Sequence, residues 1–317
     1  MRILITGGNG YLAQHLLPML AHADKVFLLD ESPPSFLHDA FYTQGSILDF
    51  PFVTEVIREN QIDCLIHLAA KKNARESISF PDLYFSVNTN ATLELAQIAD
   101  KFRVKLFIFA SSAAVYGNTF SSELIDEITP LKPLSPYGES KMSAEIQLQN
   151  FALTSKMKIV SLRLFNLAGY GITNYQERSI QNLLPIIANC LNTKQNVKVY
   201  GGNFPTIDGS CVRDYVHVSD VAKAFAVIVE NQELFGNDYE CFNVSTGIGR
   251  SVLEVIQEFE RVSNKKIKID FLPEISGEPI SSIGNSEKIS QKYNWFPTFS
   301  IEDMVSSTWD TLEKKFG

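Results

Sequence analysis

The sequence predicts an α/β fold in which a doubly wound parallel sheet carries a smaller, interleaved C-terminal unit. Three observations lead there. Short apolar runs alternate with helix-period patterns through the first half. The first run stops at glycine and passes directly into a helical pattern. The second run ends in a carboxylate about 20 residues beyond those glycines. Residues 1–166, with 212–246 returning to them, are expected to form the nucleotide-binding unit, and 167–211 with 247–317 the unit that binds substrate.

Arg2-Ile-Leu-Ile-Thr6 reads as a buried strand. Gly7-Gly-Asn-Gly-Tyr-Leu-Ala13 follows, then a helix through Leu16, Leu17 and Leu20 in which Pro18 marks a bend or local irregularity. Gly7 and Gly10 permit a tight turn and close approach of backbone to a pyrophosphate, whose charge the helix N-terminus faces. Ala13 is small enough for helix and strand to pack closely, as in a Rossmann-type unit. Lys25 to Leu29 is the second strand. Asp30 at its end can bind the adenosine ribose hydroxyls, and with Glu31 it would repel a 2′-phosphate, favouring NAD over NADP. The same two acids also read as a solvated turn before Pro33-Pro34.

A third strand is expected near Phe41-Tyr-Thr43, followed by Gly45-Ser-Ile-Leu-Asp49, and a fourth over Asp63 to Ala70, whose Ala69-Ala70 end leaves room for a cofactor to cross the sheet edge. His67, inside that apolar run, reads as a satisfied core residue rather than a ligand. Leu83 to Phe102 is a long helix with Asn88 and Asn90 in its first half, and Lys105 to Ala110 is the fifth strand. The chain turns irregular and polar over Gly169–Tyr175, where a pocket loop is expected. A helix through Leu183, Ile186, Ile187 and Leu191 precedes a Lys198-Val-Tyr200 strand. Val218 to Val229 is a helix returning to the main sheet, followed by a strand near Cys241–Ser245, a helix capped by Ser251 and an amphipathic tail over Ile301–Phe316.

Composition narrows the function. The chain has 317 residues, 45% of them hydrophobic, and a net charge of −8, so it is globular and carries no basic face for nucleic acid. Its four cysteines (Cys64, Cys190, Cys211, Cys241) are far apart and form no CxxC, which fits a reduced compartment, a buried structural role and no metal site. No run of about 18 apolar residues offers a membrane span, and the first residues read at once as strand, leaving no room for a signal peptide. A soluble cytoplasmic protein is expected.

The chemistry centres on Tyr137-Gly-Glu-Ser-Lys141. Residues four apart share a helix face, and a cation near a tyrosine favours the phenolate by roughly one to three units from its ordinary pKa of about 10. Tyr137 is thus a candidate acid/base near pH 7. Ser111-Ser-Ala-Ala-Val-Tyr-Gly117 follows the fifth strand, and a hydroxyl there can share a substrate alcohol with Tyr137. Alone, the spacing is also that of a surface pair, and the serines are also turn residues. Together, GxxGxxA, the acidic strand end, SSAAVYG and YxxxK in this order resemble the extended short-chain dehydrogenase/reductase family over essentially the whole chain. Asn203-Phe-Pro-Thr-Ile-Asp-Gly-Ser-Cys-Val-Arg-Asp-Tyr-Val-His-Val-Ser-Asp220, His67-Leu-Ala-Ala-Lys-Lys72 before Glu76-Ser77, and Arg163-Leu-Phe-Asn166 are similar to segments of its UDP-glucose 4-epimerase branch.

That resemblance implies an NAD-dependent nucleotide-sugar 4-epimerase interconverting UDP-glucose and UDP-galactose, with the N-acetylhexosamine forms as further candidates. Ser112 and Tyr137 would flank the C4 hydroxyl, with Lys141 lowering the pKa of Tyr137. NAD would be regenerated within each turnover. Implied cofactor contacts are Gly7, Gly10, Tyr11, Leu12, Asp30, Ser46, Ile47, Leu68, Ala69, Ala70, Lys72, Asn88, Ser111, Tyr137, Lys141 and Leu164. Asn166, Asn182, Leu183, Lys198, Tyr200, Arg213 and Glu278 would join Ser112 and Tyr137 on the nucleotide sugar. Arg213 suits a diphosphate because its planar fork forms two charge-assisted hydrogen bonds, although a salt bridge to Asp214 is the simpler use of it. A homodimer through the helices near Leu83–Phe102 and Tyr137–Phe151 is expected, with Leu148 and Phe151 between subunits. The remaining alternatives are a 4-ketoreductase or dehydratase on the same residues and a non-catalytic NAD-binding sensor or scaffold.

The chain also departs from the epimerase pattern. Ser46 stands for the adenine-side aspartate, with Asp49 near, and Ala114 and Leu164 replace a threonine and a tyrosine. Over Glu274–Pro279 the family shows an arginine that binds phosphate and an acid that binds the ribose. Glu278 can replace the acid, but position 275 is isoleucine, and Glu274 would oppose an anion unless it points to solvent. Ser282 aligns with a large tyrosine that limits the sugar's C2 substituent, so an N-acetyl group is expected to fit.

Overall fold

A computed structural model describes residues 1–34, 40–118, 124–171, 180–275 and 277–316, so positions 172–175 of the expected pocket loop lie outside the described residues. The first half runs β1 (Arg2–Thr6), α1 (Tyr11–Leu16), β2 (Lys25–Asp30), β3 (Phe41–Gln44), α2 (Phe50–Asn60), β4 (Cys64–His67), α3 (Ala74–Ser79), α4 (Pro81–Phe85), α5 (Ala91–Lys101), β5 (Leu106–Ser112), α6 (Pro136–Ala152) and β6 (Lys158–Leu164). The second half runs β7 (Asn166–Ala168), α7 (Leu183–Thr193), β8 (Val197–Tyr200), β9 (Val212–His217), α8 (Val218–Glu230), β10 (Tyr239–Val244), β11 (Gly249–Ser251), α9 (Val252–Ser263), β12 (Ile269–Leu272), β13 (Ser281–Ser282), α10 (Glu287–Tyr293) and α11 (Ile301–Phe316).

Seven strands form one parallel sheet in the order β10-β6-β5-β4-β1-β2-β3. Successive side chains of a strand face opposite ways, so β1 feeds two cores. Ile3 and Ile5 pack with Leu16 of α1 and Val221 and Phe225 of α8, whereas Leu4 packs with Val53 and Ile57 of α2 and Leu95 of α5. A third core joins Leu184 and Ile187 of α7, Phe259 of α9 and Trp309 of α11. Beside it lie a small sheet of β11, β9 and β13, with β7 paired to β9, and the parallel pair β8–β12. Among the described residues no helix is long and apolar enough to cross a membrane.

Several expectations change in detail. Pro18 does not bend an α-helix but opens a 3₁₀ turn over Leu17–Leu20, where its missing N–H costs nothing. The long helix expected over 83–102 begins at Pro81 and passes through a π turn, Ser86–Asn90, before α5. The fourth strand ends at His67, and Leu68 to Ala70 lie beyond it. Asp49, noted beside Ser46, is the N-cap of α2 and accepts from the Phe52 amide. Leu148 is fully buried in the core of a single chain, so it does not lie between subunits, while Phe151 is partly buried and packs beside that core. All four cysteines are free thiols, and only Cys211 is not buried.

Candidate active site

The winding of the main sheet reverses between β1 and β4, and the carboxyl ends of those strands open a crevice where such folds bind ligands. Gly7 leaves β1 at φ +70°, and a Cβ on it would stand 2.8 Å from the Ala69 amide nitrogen. Only glycine therefore lets the loop lie flat against the end of β4. Gly10 donates to the Gly7 carbonyl (2.9 Å) and is the N-cap of α1, bringing no side chain to the helix start. The Asp30 carboxylate accepts from the Asn9 amide (3.0 Å) and the Ser32 amide (2.9 Å), which ties the end of β2 to the glycine loop while leaving the acid partly exposed. A bare glycine turn, a partly open carboxylate one strand away, and the small Ala69 and Ala70 at the reversal fit a dinucleotide with a free ribose diol.

The other expected cofactor residues have varied commitments. The Tyr11 hydroxyl donates to the Gly169 carbonyl. Leu12 and Leu68 pack against one core and Ile47 lies inside the other. Ser46 donates to Glu31 (2.6 Å), Lys72 is exposed, and Leu164 closes β6 opposite Ser112. Asn88 is fully buried and bonds both backbone groups of Lys71 (2.9 Å each) and the Ser140 hydroxyl (3.0 Å), so it pins the loop after β4 to α6. His67 is the satisfied core residue expected. It bridges the Thr6 (2.7 Å) and Thr92 (3.0 Å) hydroxyls, and burial, then the nearby Lys141 charge, pull its pKa down to about 3.

The three residues expected to be catalytic come together at the end of β5. Ser112 is the last residue of that strand, and Tyr137 and Lys141 lie one turn apart near the start of α6. Ser135 caps α6, and a Cβ on Gly138 would fall 2.6 Å from the Ala114 carbonyl oxygen, so α6 begins in direct contact with the turn that follows Ser112. Ser77 of α3 accepts from the Tyr137 amide (3.0 Å), fixing the same point from the other side. Burial pushes the Tyr137 phenol above its ordinary pKa, and a hydrogen bond with Ser112 pulls the other way. Lys141 is buried, donates to the Ala110 carbonyl (2.8 Å) and sits 4.6 Å from the centre of the Phe109 ring. Burial pulls its pKa down to about 7, against the raising charge of Glu145.

Glu145, which motif reading missed, continues the Tyr137–Lys141 stripe by one more turn. It is buried, pairs with Arg163 (2.6 Å) and accepts from the Ser111 hydroxyl, so Ser111 is committed to the protein. Arg163 also donates to Tyr116 (2.7 Å), which donates in turn to Asn243 (2.7 Å). The i, i+4 spacing beyond Lys141 was its one signal in the sequence.

The expected substrate residues lie on the smaller sheet and its neighbours. Asn166 starts β7, Asn182 is the N-cap of α7 ahead of Leu183, and Lys198 and Tyr200 lie on β8. Arg213 is not paired with Asp214. Asp214 is fully buried and accepts from Thr246, Gly247 and Gly284, and burial pushes it up to about 6. The charged partner of Arg213 is Glu278 (3.8 Å), and its Nη1 donates to the Val212 (2.9 Å) and Ile280 (3.3 Å) carbonyls. Glu274 is exposed, and Ser282 is buried, opposite Arg213 in the register of β13 with β9. Arg75, at the start of α3, also reaches Glu278, and nothing local in the sequence marked it.

The chain matches the NAD dependent epimerase/dehydratase family over residues 3–244. It is 34% identical to a UDP-glucose 4-epimerase of Streptococcus mutans over an alignment of 323 positions that covers 98% of this chain and 96% of that one. The UDP-glucose 4-epimerase of Bifidobacterium longum, solved in complex with NAD+ and UDP, has a TM-score of 0.91 at 30% identity, covering 99% of this chain and 98% of that one. The UDP-Glc/GlcNAc 4-epimerase of Campylobacter jejuni has a TM-score of 0.84 at 29% identity, covering 99% of both chains.

Proposed function

Because the chain belongs to the NAD dependent epimerase/dehydratase family, we propose that it is an NAD-dependent UDP-hexose 4-epimerase, with UDP-glucose and UDP-galactose as its pair. The observation that carries this reading is the meeting of Ser112, at the end of β5, with Tyr137 and Lys141, one turn apart on α6, beside a glycine turn and a partly open carboxylate one strand from the sheet's reversal. Gly7, Gly10 and Asp30 would hold the adenosine and pyrophosphate of NAD, with Ala69 and Ala70 giving it passage. NAD would supply there a reversible two-electron acceptor for the sugar's C4.

The side chains then divide the remaining work. Tyr137 takes and returns the proton of the C4 hydroxyl, while Ser112 holds that hydroxyl against it. An ammonium on Lys141 favours the Tyr137 phenolate through its charge, whereas burial in the ligand-free chain disfavours the charged form of both groups. Inversion needs the 4-keto sugar to turn over before its other face is reduced. Arg213, anchored by two backbone carbonyls, is suited to hold the nucleotide end during that turn. Ala113 and Ala114 form the turn after Ser112 and bring no carboxyl group, which favours epimerisation over elimination.

The partner we propose beyond the substrate is a second copy of the chain. Leu83 (40% exposed) and Ile146 (46% exposed) are large apolar residues on α4 and α6, which pack together, and they fit the homodimer face. The free thiols suit the cytoplasm. The division of the chain at residues 166, 211 and 246 is kept as part of this reading. It is tested by offering UDP-galactose and UDP-N-acetylgalactosamine to the wild type and to Tyr137→Phe. Conversion by the wild type and a loss of about a thousandfold or more in kcat in the variant are expected, since general acid/base action alone contributes about 10²–10⁴-fold. Equal turnover by both proteins would overturn the roles assigned to the trio.

A further inference from the structure

Glu278 has two oxygens and each faces a different guanidinium. Arg75 sets Nε (3.2 Å) and Nη2 (3.1 Å) on Oε1, and Arg213 sets Nη2 on Oε2 at 3.8 Å. The three residues come from α3, β9 and the stretch before β13, so the fold rather than the local sequence assembles them. The cluster holds two cations and one anion. Arg213 is nearly buried, with 12% of its side chain exposed, whereas Arg75 is about half exposed at 48%. Arg75 also lies over the Tyr200 ring, 4.5 Å from its centre, which steadies an otherwise mobile side chain. Two positions further along α3, Ser77 bonds the Tyr137 amide, so the helix that carries Arg75 also braces the catalytic tyrosine.

We infer that Arg75 is a diphosphate-binding residue of this site, completing with Arg213 a pair of guanidiniums for the two phosphates of the nucleotide sugar. The inference rests on the function proposed above and deepens it. It accounts for isoleucine at position 275, because the second guanidinium arrives from α3 instead. The chemistry is that of two planar forks on a doubly charged chain of oxygens, with geometry that a single arginine cannot supply. Glu278 holds both forks in the ligand-free chain. It yields them to the phosphates when the nucleotide sugar binds.

The test is calorimetric titration of the full-length protein with UDP and with uridine, beside epimerase kinetics. Arg75→Ala should weaken UDP binding by about tenfold to a hundredfold, the range for losing a charge-assisted hydrogen bond, and leave uridine binding unchanged. In the kinetics KM for UDP-galactose should rise while kcat stays near the wild-type value. Because Arg75 is half exposed, the variant should fold, and its melting temperature checks that. A second background separates contact from positioning: in Glu278→Gln the loss caused by Arg75→Ala should persist. Unchanged UDP affinity in Arg75→Ala overturns the inference, as does a loss that vanishes in Glu278→Gln, since Arg75 would then act only by holding Glu278. If the wild type binds no UDP and converts no UDP-sugar, the functional reading falls and takes this inference with it. If it epimerises normally with Arg75→Ala, only the inference falls.

Discussion

Gly138→Ala tests whether the contact between α6 and the turn after β5 sets the catalytic geometry. A new Cβ would stand 2.6 Å from the Ala114 carbonyl oxygen and 2.9 Å from Cβ of Pro133, where ordinary contact begins at 3.4 Å. Neither neighbour is a flexible tip, so the start of α6 must retreat by roughly 0.8 Å, and a packed interior does not absorb that locally. Helix propensity favours alanine by about 0.5–1 kcal/mol, but overpacking of this kind costs about 1–3 kcal/mol, so the net change runs from about zero to roughly 2.5 kcal/mol destabilising. The larger effect is on rate. Retreat of α6 draws Tyr137 away from Ser112, and misplacement by about 1 Å is enough to cost roughly a hundredfold. Urea unfolding gives the first quantity and conversion of UDP-galactose the second. Gly236→Ala is the control, since the nearest atom to its new Cβ is 3.6 Å away, on a side chain. A Gly138→Ala protein with wild-type kcat would refute the claim that this contact positions the tyrosine.

Two further outcomes follow from the same coordinates. Asp30→Ala should weaken NADH binding by about tenfold or more and narrow its preference over NADPH, read by fluorescence titration; unchanged selectivity would remove Asp30 from the ribose site. Stability should fall in acid: burial holds His67 at about 3 and His217 at about 4, both below the ordinary 6.5, so the unfolded chain binds the extra protons and stability present above pH 6.5 drains as pH falls. At pH 5 that amounts to about 2 kcal/mol for each histidine, and Asp214, raised by burial to about 6, has the opposite sign and offsets roughly 1 kcal/mol. Urea midpoints should therefore be lower at pH 5 than at pH 7.5, and equal midpoints would contradict the histidine assignments.

The parts of this molecule legible in its sequence are those whose physics is local. A glycine turn between a strand and a helix, an acid at a strand end, and Tyr137 and Lys141 one turn apart each announce themselves within a few residues, and their order along the chain gave the family resemblance. Helix α2 was also written there, with Asp49 as cap, Pro51 in the first turn and Val53, Val56 and Ile57 on one face. Leu148 read as an interface residue because an apolar position on a helix does not say which neighbour covers it. Arg75 and Glu278 were out of reach for a stronger reason: they are 203 residues apart, and an exposed arginine early in a short helix looks like any solvated charge. The buried Glu145–Arg163 pair belongs to the same class, since only the pairing of sheet and helix makes two isolated charges compatible with burial.

Inversion at C4 without net oxidation is tested by following a label at that carbon. UDP-galactose carrying deuterium at C4 is incubated with the purified protein, with no cofactor added, and the sugars are read by NMR. UDP-glucose that still carries deuterium at C4, with no stoichiometric NADH, is expected, because the atom removed from one face of the sugar returns to its other face within one site. Loss of the label to solvent, accumulation of NADH with a 4-keto sugar, or no inversion by a protein that retains NAD would contradict it.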